Sequence, residues 1–191
     1  MRQIPEVETQ IRWQPFELFP QIPVSGVERH AHMTQVFGSV RRRDSIFAEV
    51  ARTGQAEGMD LRFDTIRHSP NTFRLHRLLW KAGQQGYQDT LALALFKAFF
   101  TDNRDLTQLT QLATVLAPFG WSPSQLDQFL TSDEGTATVR HQQRLYQFMN
   151  ITSVPTYILN NQIMLVGAQP PERFVKAITQ AARIAPLPTA V

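Results

Sequence analysis

The chain has 191 residues, 42% hydrophobic and 18% charged, enough for one well-cored domain with room for an insertion rather than two independent domains. Its net charge of +3 and pI near 9.7 come with acidic residues scattered among the basic ones, so no large one-signed field is implied and nucleic acid is not demanded as a partner. Cysteine is absent, which excludes disulfides, thiolate metal ligands and a cysteine nucleophile within this chain. No apolar run approaches the roughly 20 residues of a membrane span. The first residues also lack the apolar core of a signal peptide, so a cytoplasmic chain with no membrane partner is expected.

Val7 to Gln14 alternates, with Val7, Thr9, Ile11 and Trp13 on one side, and reads as a half-buried strand stopped by Pro15. A proline-rich connector follows to Pro23. Helical periodicity then fills the middle of the chain. Arg42 to Thr53 places Ile46, Phe47, Val50 and Ala51 on one stripe, with Gly54 as its stop. Asn71 is the expected N-cap of a helix burying Leu75, Leu78, Leu79 and Ala82, with Arg74, Arg77 and Lys81 on the opposite side and Gly83 past its end. Asp89 to Phe100 carries Leu91, Leu95, Ala98 and Phe99 at core spacing, and Asp105 caps a helix with Leu106, Leu109, Leu112 and Leu116. Ser122-Pro123-Ser124-Gln125 has the capping-box pattern. Ser132-Asp133-Glu134 is expected to open a further helix, with both carboxylates in its first turn, running toward Met149.

Ser153 to Pro171 has a different pattern. Val154-Pro155 introduces a short β-rich run, Asn160-Asn161 sits where a tight turn needs positive φ, and a second β-rich run leads to Pro170-Pro171. These prolines open a helix through Phe174, Val175, Ile178 and Ala182, and the tail from Ala185 is expected to fray. The Val154-Pro155 bond is a candidate cis peptide, although local sequence on its own favours an ordinary trans turn.

Other chemistry is sparse. His30 and His32 could share a metal on an extended segment, but no third ligand accompanies them, so no metal or cofactor is expected. His76 and His141 lie in helical stretches, with packing or hydrogen-bonding roles. Arg41-Arg42-Arg43 reads as a solvated helix start, and no phosphate loop, zinc-hydrolase or serine-elbow motif occurs.

The stretches Ile151 to Tyr157 and Val166-Gly167-Ala168-Gln169-Pro170-Pro171 resemble the C-terminal half of DsbA-like thioredoxin proteins of the FrnE type, a group that includes 2-hydroxychromene-2-carboxylate isomerases. Arg12 to Leu18, Pro70-Asn71-Thr72 with His76-Arg77-Leu78, Leu95 to Phe100 and Phe129 to Gly135 resemble further stretches of that family in its order. The resemblance implies an α/β fold: a thioredoxin-like core, N-terminally incomplete, with an inserted all-helical domain. As a single DsbA-like domain over 1–191, it would divide into thioredoxin-like parts at 1–20 and 150–184 and a helical insertion at 28–149. Pro155 would be the family's cis-proline, and Ser153, Val154, Pro155 and Thr156 would bind an extended peptide or a thiol substrate, with glutathione a candidate.

Family members carry a Cys-x-x-Cys pair after their first strand, and this chain carries none. The resemblance therefore implies a thiol-disulfide oxidoreductase relative that is truncated and redox-inactive as given, with no catalytic residue of its own. The alternatives are a non-redox peptide-binding module, as a homodimer shielding an incomplete sheet, and a glutathione-dependent isomerase or transferase.

Overall fold

The structure is a computed structural model, and it describes residues 7–184. It divides into two compact units, one of Met1–Ile11 with Gln143–Val191 and one of Arg12–Gln142. The second, helical unit begins earlier and ends earlier than the 28–149 insertion read from sequence.

In the helical unit a short strand β1 (Val27–Glu28) pairs antiparallel with β2 (His68–Ser69). Around them lie α1 (Arg29–Phe37), α2 (Val40–Ala56), α3 (Phe73–Gln84), α4 (Gln88–Phe100), α5 (Leu109–Leu116) and α6 (Pro123–Thr131). Next comes α7 (Thr136–Phe148), and the division between the units falls inside it. Leu78, Leu91, Leu116 and Leu126 are fully buried and form one cluster with Ala82, Leu95, Leu112 and Phe129. Each buried leucine contributes about 1.5–3 kcal/mol of hydrophobic stabilisation. The sequence periodicity of α3 to α6 thus marks most of their core positions, but Leu109, expected in the core, is exposed at the start of α5, and the N-cap of that helix is Gln108 rather than Asp105.

Several local expectations change. Val7 to Gln14 forms no strand. Alternation reports which side chains meet a surface, but a strand also needs a neighbouring ladder. Trp13 instead donates its backbone N–H to Gln88 Oε1 (3.1 Å) and accepts at its carbonyl from Gln88 Nε2 (3.0 Å), while its indole Nε1–H donates to Asp89 (2.7 Å). One side-chain amide thereby does for one residue what a strand would do for several.

Gly54 does not end α2; Leu61 packs so closely that a Cβ there would meet Leu61 Cδ1 at 2.6 Å. Asn71 accepts from Phe73 N–H (3.0 Å) one residue ahead of the N-cap, which is Thr72, and Gly83 lies within the last turn of α3. The Ser122 capping box forms in full, with Gln125 N–H to Ser122 Oγ at 3.2 Å and Ser122 N–H to Gln125 Oε1 at 2.9 Å. Helix α7 starts only at Thr136, so Asp133 and Glu134 precede it instead of occupying its first turn. Gly135, at φ 77°, makes the entry turn under Trp80, where any Cβ would fall 2.5 Å from the ring.

The largest correction concerns Arg77, which is 4% exposed. Its guanidinium donates to the carbonyls of Phe129 (2.9 Å), Leu130 (3.3 Å), Ser132 (2.6 Å) and Glu134 (2.9 Å), the open C-terminal end of α6 and the loop after it. It also lies over the Phe129 ring at 4.9 Å. Lys81, one turn on, pairs with Glu134 at 2.5 Å. Arg29 and Arg43 are the other buried cations: Arg29 is set 5.4 Å from the ring centres of Phe47 and Phe99 with Nη1 donating to Ser69 Oγ, and burial lowers its pKa to about 10, while Arg43, expected in a solvated helix start, donates from Nη1 to His30 O (3.1 Å) and Thr34 Oγ1 (2.8 Å).

The other unit holds an antiparallel hairpin, β3 (Thr156–Leu159) and β4 (Ile163–Val166), and the helix α8 (Pro171–Ala182). Among the described residues this is the unit's only sheet. Asn160 and Asn161 take φ of 49° and 59°, and Gln162 N–H closes the turn on Leu159 O at 3.0 Å. Tyr157 meets Phe174 of α8 edge-on at 4.8 Å, and Asn160 Nδ2 caps α8 at Ala181 O (3.0 Å). The tail from Ala185 lies outside the described residues.

Two measurements check this account. Replacing Arg77 with methionine strips the donors from several buried carbonyls and is expected to cost about 3 kcal/mol or more in urea unfolding, with Arg77→Lys recovering part of it; a cost below about 1 kcal/mol would contradict the assigned role. His76 donates from Nε2 to Phe16 O (3.2 Å), and burial pushes its pKa from 6.5 down to about 4. Between those values the unfolded chain binds a proton that the folded chain does not. Stability is therefore full above 6.5 and is lost as pH falls through the window, by up to about 3 kcal/mol. His76→Gln, which keeps a donor but does not titrate, is expected to lose less stability than wild type on going from about pH 7 to about pH 4.5; equal losses would exclude His76 as the source.

Candidate functional site

The site is built on the way into the hairpin. Helix α7 ends in a Schellman arrangement, with Asn150 at φ 63°, its N–H on Gln147 O (2.9 Å), and Ile151 N–H on Tyr146 O (3.0 Å). Ile151 is then buried at 8% exposure and fixes where the next residues start. An asparagine followed by an apolar residue after a helical run is the sequence signal for this cap.

Ser153, Val154 and Pro155 precede β3 and Thr156 is its first residue, so the four expected site residues are contiguous in space as in sequence. The Val154–Pro155 peptide bond is cis. Two bonds fix the loop: Thr156 Oγ1 donates to Ser153 O (2.8 Å), and Gly167 N–H, at the far end of β4, donates to Pro155 O (2.7 Å). Gly167 has φ 77°, a conformation glycine adopts without strain. Val154 between these anchors is 47% exposed, and among the described residues no backbone hydrogen bond reaches it.

The electrostatics are plain. From Leu145 to Pro171 no side chain carries a charge, and the Thr156 hydroxyl is already committed to Ser153. The loop therefore offers backbone groups, the Ser153 hydroxyl and an apolar surface, with no charged side chain. His30 and His32, considered as metal ligands, lie on α1 two residues apart, where a helix points them to different sides. His32 packs edge-on against Phe19 at 4.8 Å. Among the described residues no group of three or more His, Asp or Glu side chains could hold a metal, and no helix is long and apolar enough to cross a membrane.

The profile of the DsbA-like thioredoxin domain matches residues 1–179. A crystal structure described as a probable DsbA oxidoreductase from Streptomyces coelicolor is similar to this chain at 26% identity, with a TM-score of 0.82, over 93% of this chain and 77% of that one. No curated protein matches the chain significantly. A profile match through nearly the whole sequence, on a mixed α/β fold with a large helical unit, means that the chain belongs to the DsbA-like thioredoxin domain family.

Proposed function

We propose that this chain, a FrnE-type member of its family, binds extended peptide or thiol substrates at Ser153, Val154, Pro155 and Thr156, and that on its own it performs no redox step. The exposed backbone of Val154, which no backbone hydrogen bond reaches among the described residues, held between two anchored neighbours, carries the reading. An extended chain laid alongside can exchange main-chain hydrogen bonds with it, the mode of strand addition. The uncharged surroundings favour uncharged, apolar segments of the kind exposed in unfolded proteins.

Family chemistry requires a thiolate to attack a disulfide and form a mixed disulfide, and this polypeptide contains no sulfur nucleophile. Turnover then needs a thiol from elsewhere, either glutathione or another protein.

Two assays test this. The chain alone is expected to reduce insulin no faster than buffer with dithiothreitol, and clear activity above that background would overturn the non-redox half. A labelled, reduced and alkylated insulin B chain is expected to bind, as read by fluorescence anisotropy. Val154→Pro, which removes one donor, is expected to weaken binding by about tenfold, and Val154→Ala, which keeps it, by less. Unchanged binding in Val154→Pro would move the site elsewhere.

A further inference from the structure

We propose that a cleft in the helical unit, walled by the C-terminal end of α3, the turn at Gly120 and one side of α6, binds a neutral carbohydrate. All the residues that line it lie between Lys81 and Glu134, inside the unit Arg12–Gln142, every residue of which is described, and none belongs to the hairpin or its loop. Its volume of about 420 Å³ falls within the span of small-molecule sites, roughly 300–1,000 Å³.

The lining combines three kinds of group. Phe119, Trp121 and Phe129 supply ring surface, with Trp121 edge-on to Phe129 at 5.3 Å and Phe119 stacked on Tyr87 at 5.3 Å. Gln85, Gln125 and Gln128 supply side-chain amides. The Trp121 indole N–H donates to the Tyr87 hydroxyl (2.9 Å), which donates in turn to Gln85 Oε1 (2.9 Å), so the ring and the amide are fixed together. Gln125 Oε1 accepts from Ser122 N–H (2.9 Å) in the capping box. Both amides are thereby oriented with their Nε2 donors left over, and Gln128 keeps its whole amide; among the described residues no hydrogen bond takes up any of these atoms. Lys81 and Glu134, paired at 2.5 Å, complete the lining and cancel each other's charge.

This set selects a ligand by elimination. An anion would meet Glu134 beside the one cation of the lining, and a cation would meet Lys81 beside its one carboxylate. A wholly apolar ligand would cover amide donors without bonding them. A peptide backbone is paired by a glutamine that uses both its oxygen and its nitrogen, as Gln88 does for Trp13, and at Gln85 and Gln125 the oxygen is already taken. A pyranose fits what remains. Its hydroxyls both donate and accept, so they take the Nε2 donors and return hydrogen bonds to Glu134 and Gln128. The C–H groups on its ring face are weakly positive and lie against the negative face of an indole or phenyl ring.

The test titrates the full chain with cellobiose, maltose and lactose, read by tryptophan fluorescence and by saturation-transfer NMR. At least one of the three is expected to bind saturably at millimolar concentration, and benzoate, a planar anion, is expected not to displace it. Gln128→Leu removes an amide that bonds nothing within the protein and is expected to weaken that binding about tenfold. Trp121→Ala is expected to abolish it and Trp121→Phe to retain part, with circular dichroism as the folding control. Val154→Pro, in the other unit, is expected to bind the sugar as wild type does, so this site and the peptide-binding reading stand or fall separately. The proposal is overturned if none of the three sugars binds, if benzoate binds more tightly than they do, or if Gln128→Leu or Trp121→Ala binds as tightly as wild type. Loss of sugar binding in Val154→Pro would overturn it as well.

Discussion

Backbone groups taken away from water must find partners, and this constraint explains more of the structure than any single side chain. In the helical unit it is met by Arg77. Helix α6 stops against a loop that turns back toward α7, leaving carbonyls at Phe129, Leu130, Ser132 and Glu134 pointing inward. One planar guanidinium with five donors in a fixed fork serves them all, which a lysine's single ammonium could not do with the same geometry. Burying the cation is costly, and the Phe129 ring beneath it together with the carbonyl dipoles offsets that cost.

Gln88 answers the same need on a smaller scale. By pairing with both backbone groups of Trp13 it fixes a segment that is not itself a strand, while the indole rests 5.5 Å from Phe96. The candidate site is the converse case: Thr156 Oγ1 and Gly167 N–H tie off Ser153 O and Pro155 O, and among the described residues no backbone hydrogen bond reaches Val154 between them.

Much of this was legible in the residues. Helical periodicity located α3 to α6 and their core faces, the Ser122 pattern gave a capping box that forms in full, and Asn160-Asn161 gave the hairpin turn, because each depends on contacts within a few residues. The missing cysteine bounded the redox chemistry from the sequence alone. The family resemblance, carried by stretches from Arg12 to Pro171, agrees with the DsbA-like thioredoxin domain that matches residues 1–179.

Long-range pairing was not legible, for a physical reason. Alternation in Val7 to Gln14 has the period of a strand, but whether a ladder forms depends on what lies beside it, and no local pattern encodes that. Arg77 sits on the charged side of its helix by sequence, yet it is buried because the end of a helix more than fifty residues away needs donors. The late start of α7 likewise follows from Trp80 lying over Gly135, a contact between distant parts of the chain. The sequence by itself determined the local elements, the lack of a thiol and the neutrality of the site, because these are properties of composition and short spacing. Only the tertiary structure decided which backbone groups found which partners, because those partners come from residues far apart in the sequence.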